Sequence, residues 1–561
     1  MPGTHGTVAH EYALVNARVL TMDPDHRVAE AVAVRDGRLV AVGDETAVLA
    51  AIAPGAPRHD LAGATVLPGF IDVHTHVEFI TLSRHFWLDV RGVDKDEVIE
   101  RMRRRAAELP AGSWVVAQGT FGQDLPSKAE LDEALPGHPA VARWTMHKFV
   151  VNAAALDASG ITAATPAPPG ARIQLGADGR PNGILEEAWD LLAVESPRAD
   201  ELTSAMEETL GSLFTANGVT TVHEIGCTRN GLRALRELAT TGRAPRMGVL
   251  LTAGPGHQPL VSMSEDGIRA LGPDLGDDRY WFQGIKIFMD GGRDGAFRSQ
   301  EIGQPADRWG LLTRLYPTLV AELTSAVDAG LQVCTHAIGD LAQEIAVAAI
   351  ERVHALHPSL DHRLRIEHFF NESFDTARLE RLIAAGGIAV PNPGFVIAEP
   401  DDPERRQPAG ATKYALRTLH ALQGIVPGNS DTAGAQPFTT NPWFTMRCML
   451  ELRNRNGVPI NDPERLDVDQ ALRSFTTDAA YATRQETSKG SIEPGKLADL
   501  AIVDADPYAI PAAEFDRVRT IATIRDGLVV HGALPGATDS SPDASPDSSS
   551  VAGPAGSHRA S

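Results

Sequence analysis

Two histidines one residue apart, His74 and His76, close the apolar run TVLPGFIDVHTH. On a β-strand, residues i and i+2 point to the same side, so both imidazoles would face one point. Two neutral imidazoles meeting at one point suit a divalent transition metal. The motif is short and the chain has 19 histidines, so the pair alone does not define a metal site. Four later residues stand where they could complete one. His336 ends QVCTH, His368 ends RLRIEH, Asp431 ends GIVPGNSD, and Lys286 lies inside FQGIKIFMD. Alternation puts Leu364 and Ile366 on the side of His368, and Phe288 and Asp290 on the side of Lys286. A single His or Asp at a strand end is usually an ordinary hydrogen-bonded residue. Lys286 is less ordinary, because an ammonium buried in an apolar strand needs a partner or a use. Glu78 keeps the parity of the histidine pair but reads as a solvated loop carboxylate. His223, ending GVTTVH, reads as a supporting or structural residue.

The elements that must carry these residues follow a pattern. Between 67 and 480, short apolar runs alternate with long Ala/Leu/Glu/Arg segments of helical spacing. In LVAELTSAVDAGLQVCTHAIGD a helix ends at Gly330 and a strand begins; TARLERLIAAGGIAVPNP repeats the design. Such alternation predicts parallel βα units, enough of them for an α/β fold of the (β/α)8 TIM-barrel type. The C-terminal mouth of such a barrel is the usual place for chemistry. The stretch 83–205 fits poorly and is expected to be an insertion beside the barrel. Residues 12–66 and 490–533 carry short strand-like runs, each with an Arg-Asp-Gly turn (RDGRL and RDGLV). Asp-Gly suits a tight hairpin, so the first zone predicts a small antiparallel sheet, and the two ends are expected to share one sheet.

Composition narrows the function classes. A length of 561 residues implies several domains or one enlarged barrel. Aromatics make up only 5%, so Ala, Val, Leu and Ile must build the core. The net charge of −22 disfavours nucleic acid and anionic membranes as partners; its plain meaning is solubility. No Gly-rich phosphate loop precedes a helix. Cys227, Cys334 and Cys448 lack zinc-finger or CxxC spacing, which predicts a reducing, cytoplasmic setting. The N-terminus lacks the basic and apolar regions of a secretory signal, and no apolar window approaches the roughly 18 residues of a membrane span. The expected partner is a small-molecule substrate, with a homodimer kept open as the assembly.

Taken together, PGFIDVHTH, the strand-end His336, the EH at 367–368 and the Asp of GNSD resemble the landmarks of the amidohydrolase superfamily, in its order. GSIEPGKLADLAIVD is similar to the segment re-entering that superfamily's small β-sandwich. Within it, LDEALPGHPAVARWTMHKFVVNAAAL, DGRPNGILEE and KIFMDGG resemble the subgroup of N-substituted formamide deformylase and YtcJ-like proteins. The resemblance implies a small β-sandwich from 10–66 and 488–534, a metal-dependent barrel over 67–487, and, by composition, a disordered tail over 535–561. It implies one or two divalent ions, zinc foremost. His74 and His76 would bind the more buried one. Lys286, carboxylated by CO2, would bridge to a second held by His336 and His368. Asp431 would be both ligand and proton shuttle, and His147 would sit over the substrate.

The chain departs from the pattern where substrate would sit. Thr145-Met146 precedes His147 in place of Asp-Gly, and RDGAFRS follows KIFMDGG in place of a GSRTA-like run. The implied reaction is hydrolysis of a non-peptide C–N amide-type bond, of an N-formyl or N-acyl amine, by hydroxide generated at the metal. Alternatives on the same site are deamination, or opening of a cyclic imide, carbamate or ester. A non-catalytic barrel homologue is the remote alternative, and it predicts decayed ligands that this chain does not have.

Overall fold

Seven strands form one all-parallel sheet: β1 (Phe70–Thr75), β2 (Val219–Ile225), β3 (Arg246–Ala253), β4 (Tyr280–Phe288), β5 (Gln332–His336), β6 (Arg365–Glu367) and β7 (Ile388–Val390). Their spatial order follows the chain, from β1 at one edge to β7 at the other. This computed structural model describes residues 11–535 except 121, 254–275, 294, 300–308, 370–374, 403–412 and 433–436. The expected tail disorder thus falls, apart from residue 535, outside the described residues.

The sheet has two unlike faces. Ile285, Ile287, Val333 and Ile366 point to surrounding helices, meeting Leu323, Ala346, Ile350 and Leu382 in one apolar cluster. The inner face is polar yet buried, with Thr221, His223, Lys286, Gln332, Arg365 and Glu367. The helices Tyr316–Asp328, Asp340–Leu356 and Thr376–Ala384 each follow one strand and precede the next, as right-handed parallel connections require. The sheet curls. Ile71 and Val73 of β1 share a cluster with Ile388 and Val390 of β7. The segment 426–431 lies between these edges. Val73 N donates to Gly428 O at 3.3 Å, Asp431 N to His74 O at 2.9 Å, and the Asn429 side chain to Pro391 O at 2.7 Å. Pro427 has no N–H to give to a ladder, and no strand is assigned to this segment, yet it carries Asp431 to the strand mouth.

Both chain ends build a six-stranded sheet. Its order is Leu528–Gly532, Thr520–Arg525, Leu500–Val503, Thr65–Pro68, Arg18–Leu20, Val28–Ala29. A four-stranded sheet (Arg38–Gly43, Ala31–Arg35, Glu11–Val15, Arg58–Asp60) faces it, and one core joins Leu14, Val32 and Val34 to Val66, Ile502 and Ile524. The first zone is therefore not one antiparallel sheet. Glu11–Val15 pairs parallel with Arg58–Asp60, and Arg18–Leu20 parallel with Thr65–Pro68. The helix Glu45–Ala50 supplies the crossover that returns the chain in the same direction.

The two Asp-Gly turns have left-handed backbones at both residues (Asp36 and Gly37, Asp526 and Gly527), as type I′ hairpins require. They abut: a Cβ on Gly37 would lie 3.1 Å from Asp526 O. Next to them Arg246, at the start of β3, is bound by Asp526 and by Asp499, whose Oδ2 lies 2.6 Å from its Nε. Burial disfavours both charges, but the partners win: Arg246 is raised and Asp499 held below the usual carboxylate range. Arg246→Met removes the ion-pair partner of buried Asp499 and is expected to cost about 3 kcal/mol, read as a lowered Tm. Because the carboxyl's folded value is depressed, its stabilisation is present above its unfolded value near ~3.9 and lost as pH falls through the folded one. The Tm gap between wild type and variant should therefore narrow on acidification below about pH 4.

The chain between β1 and β2 forms a further six-stranded sheet: Arg172–Leu175, Pro181–Glu186, Lys148–Val151, Ala140–Arg143, Val115–Gln118 and Leu88–Asp89. It is backed by the helices Lys95–Glu108 and Lys128–Ala134, through Val98, Met102 and Leu131. Its strand Ala140–Arg143 runs directly into residues 144–147, which reach the mouth of the parallel sheet.

Candidate metal centre

His74 lies on β1, and His76 immediately beyond it, at the start of the helix Val77–His85. That helix begins here because Glu224, one residue before the end of β2, accepts from Val77 N at 2.5 Å and Glu78 N at 3.2 Å, satisfying its first N–H groups. Each histidine has one nitrogen anchored. His74 Nδ1 is 2.7 Å from Glu367 Oε2, and His76 Nδ1 is 2.6 Å from Ile225 O. This fixes Nε2 as the unprotonated atom, and both Nε2 atoms turn to Asp431 Oδ1, at 3.5 and 3.2 Å. His368 Nδ1 lies 3.6 Å from Asp431 Oδ2 and makes no hydrogen bond though buried.

His74, His368 and Asp431 present ligand atoms within 4.8 Å of one another. Lys286 Nζ is 3.3 Å from His74 Nε2 and 5.0 Å from the Phe288 ring. The His336 ring meets that of His368 edge to face, 4.4 Å between centres, but directs Nε2 to Gly291 O at 3.2 Å. Five of the six expected residues thus meet around one point, and His336 borders it. His147 lies outside the cluster, 5.1 Å from His336 between ring centres, with Nδ1 2.9 Å from Glu187.

The electrostatics favour ligation. Burial drives the His74, His76 and His336 imidazoles below their usual range and His368 down to about 4. Burial would raise the Asp431 carboxyl, but His74, His368 and His76 beside it hold it well below its usual range. Burial also lowers the Lys286 ammonium. His368 and Asp431 both have left-handed backbones, with φ of 67° and 40°, strain that a non-glycine residue keeps only where the surroundings enforce it. An unpaired buried nitrogen, anchored histidines and an ionised carboxylate at one point fit a divalent transition metal.

Some expectations need correction. Leu364 and Ile366 lie on the helix-facing side, not beside His368, because its positive φ turns the chain out of strand alternation. Glu78 is no solvated loop residue. It is buried on a helix and accepts from Thr228 N and Oγ1, both at 2.6 Å. His223, read as supporting or structural, is buried with Nδ1 3.1 Å from Asp72 O, which does not contradict that reading.

Other residues escaped the sequence reading. Glu367 sets the His74 tautomer and also binds Arg365 at 2.7 Å. Asp72 accepts from His74 N and Ser430 N at 3.2 and 3.1 Å, and burial lifts its carboxyl to about 7. Asn392 donates to Asp431 Oδ2 at 3.2 Å. The Glu beside His368 in IEH was the one available signal. Glu367→Gln is expected to weaken metal affinity by about 10–100-fold, measured by competition with a chelator.

These features make a candidate metal centre at the mouth of a parallel β/α sheet. Residues 59–531 match the model of the Amidohydrolase family, and the chain belongs to that family. It is 29% identical to N-substituted formamide deformylase of Arthrobacter pascens, over 93% of this chain and 98% of that one. It is 28% identical to the putative amidohydrolase YtcJ of Bacillus subtilis (strain 168), over 91% and 98%. An uncharacterized metal-dependent hydrolase from Pyrococcus horikoshii OT3 shares the fold, with TM-score 0.68 and 22% identity over 90% of this chain and 99% of that one. The described residues contain no helix long and apolar enough to cross a membrane.

Proposed function

We propose that the protein hydrolyses a non-peptide C–N amide bond, of an N-formyl or N-acyl amine, on a metal site inside a closed (β/α)8 barrel flanked by a small β-sandwich. The observation that carries this reading is the convergence of His74, His76 and His368 on Asp431. His74, His76, His368 and Asp431 would hold a divalent ion, zinc foremost, with Lys286 and His336 serving a second. Bound there, such an ion supplies an acidified water and polarises the scissile carbonyl.

The residues themselves do the rest. Asp431 is ionised and takes the proton of the attacking water, then returns it to the leaving nitrogen, which departs only once protonated. Asn392 and the backbone N–H to His74 O fix the carboxylate's position. Glu187 holds His147 with Nδ1 as donor, orienting its ring over the mouth to contact substrate. Lys286 is wholly buried, with His74 Nε2 3.3 Å from its Nζ. Its neutral amine nitrogen would attack CO2 and lose one proton, making an anionic carbamate that a cation held there would compensate. The three cysteines are free and buried, which supports a cytoplasmic setting.

The test is a panel of N-substituted formamides, N-acetyl amines, cyclic imides and carbamates offered to the purified protein, with its metal content measured in parallel. Preferential amine release from formamides or acyl amines is the expected result. Preference for cyclic imides, ring deamination, or full activity without metal would overturn the reading.

A further inference from the structure

Among the histidines gathered at Asp431, His74 is anchored by a charged side chain, its Nδ1 lying 2.7 Å from Glu367 Oε2. His76 is anchored by the backbone instead, at Ile225 O. A carboxylate on the far nitrogen orients a ligating imidazole and makes it a stronger donor. Glu367 is wholly buried, and a buried carboxylate needs its other oxygen bound as well. That oxygen, Oε1, receives Arg365, from Nε at 2.8 Å and from Nη2 at 2.7 Å.

Arg365 does more than neutralise Glu367. The two residues stand two apart on β6 and share its inner face. From there the guanidinium crosses the inside of the curled sheet to β1, which is not a neighbour of β6 in the strand order. Nη2 donates to Val73 O at 2.9 Å, the carbonyl directly before His74. One guanidinium thus grips the backbone next to the ligand and, through Glu367, the ring of the same ligand. Both ties run from one rigid planar fork, which resists a swing of the imidazole that would turn Nε2 away from Asp431. Arg246, equally buried, spends its guanidinium on Asp499 and Asp526 at the start of β3 and bonds to no candidate ligand.

We propose that Arg365 is a positioning residue for the metal centre: it holds Glu367 and the β1 backbone in one geometry, so that His74 presents Nε2 to the ion. The inference rests on the metal-site reading above, and it adds to that site a residue that touches neither metal nor substrate. Lysine replaces it only in part, because an ammonium is a point charge without the fork that reaches Glu367 and Val73 O together. Methionine fills much of the same space and makes neither bond.

The test is the zinc affinity of the purified protein, by competition with a chelator, with the Tm of the metal-free protein recorded beside it. Arg365→Met should weaken zinc binding by about 10–100-fold, the loss expected of Glu367→Gln, and Arg365→Lys by a smaller factor, roughly 3–10-fold. Because Arg365 acts through Glu367, the double variant Arg365→Met/Glu367→Gln should bind zinc no more weakly than Glu367→Gln alone, the non-additivity of coupled neighbours. Should Arg365→Met not fold, the same cycle with Arg365→Lys decides: its loss should vanish in the Glu367→Gln background. A lower Tm with zinc affinity within about twofold of wild type, in the variant that folds, would reduce Arg365 to a core ion pair and overturn the inference. Losses that multiply in the double variant would overturn it too. Both of these outcomes leave the metal site standing, whereas wild-type protein that binds no zinc would overturn the site and the inference together.

Discussion

Asp431→Asn is expected to lower kcat by about 10²–10⁴-fold, the usual share of acid–base catalysis, while the protein keeps its metal. The carboxylate has two neighbours on each of its duties. Oδ1 faces the Nε2 atoms of His74 and His76, and Oδ2 faces His368 and Asn392. An amide fills the same space and retains one acceptor oxygen, but it can neither take a proton from water nor give one to the leaving nitrogen. The loss should depend on the leaving group. An amine leaves only when protonated, whereas an aryl ester or a nitroanilide leaves with less help. Steady-state rates on both substrate kinds, with metal content by elemental analysis, make the check. An activity within tenfold of wild type on a simple amide would remove Asp431 from proton transfer.

Lys286→Met is expected to strip at least one equivalent of metal and most of the activity, although methionine fills nearly the same volume. The lysine sits on β4 with its Nζ beside His74 Nε2, inside the sheet and wholly buried. As an ammonium it would repel a cation; as a carbamate it becomes an anionic ligand. Lys286→Arg should fail equally, because a guanidinium stays protonated and cannot be carboxylated. Protein equilibrated with ¹³C-bicarbonate should show a carbamate carbon signal that both variants lack. Full metal content in Lys286→Met, with no carbamate signal in wild type, would leave a single-metal site held by histidines and Asp431 alone.

Much of the site was legible because strand alternation is a local rule. His74 and His76 converge as spacing i and i+2 requires, and Lys286 shares the inner face with Phe288. His336 ends its strand as expected. Alternation failed at His368, which lies past its strand in left-handed backbone, and could say nothing of Asp431, whose segment forms no strand and is also left-handed there. No local pattern announces that conformation for a histidine or an aspartate. Glu78 was misread for a related reason. Its burial comes from Thr228, 150 residues away, and a one-dimensional pattern contains no such neighbour.

The sequence by itself determined the parallel β/α plan, the residue types at each strand mouth and their order, since these depend on hydrophobic period and chemical identity. Tertiary structure alone decided which nitrogen of each histidine is free. That choice belongs to Glu367 and to Ile225 O, brought in from other strands. It alone decided that Arg143 lies among the Phe79, Trp87, Phe149 and Trp189 rings, brought together from three separate segments. Proton placement and pairing of buried charge depend on distance in space, and only the folded chain sets that distance.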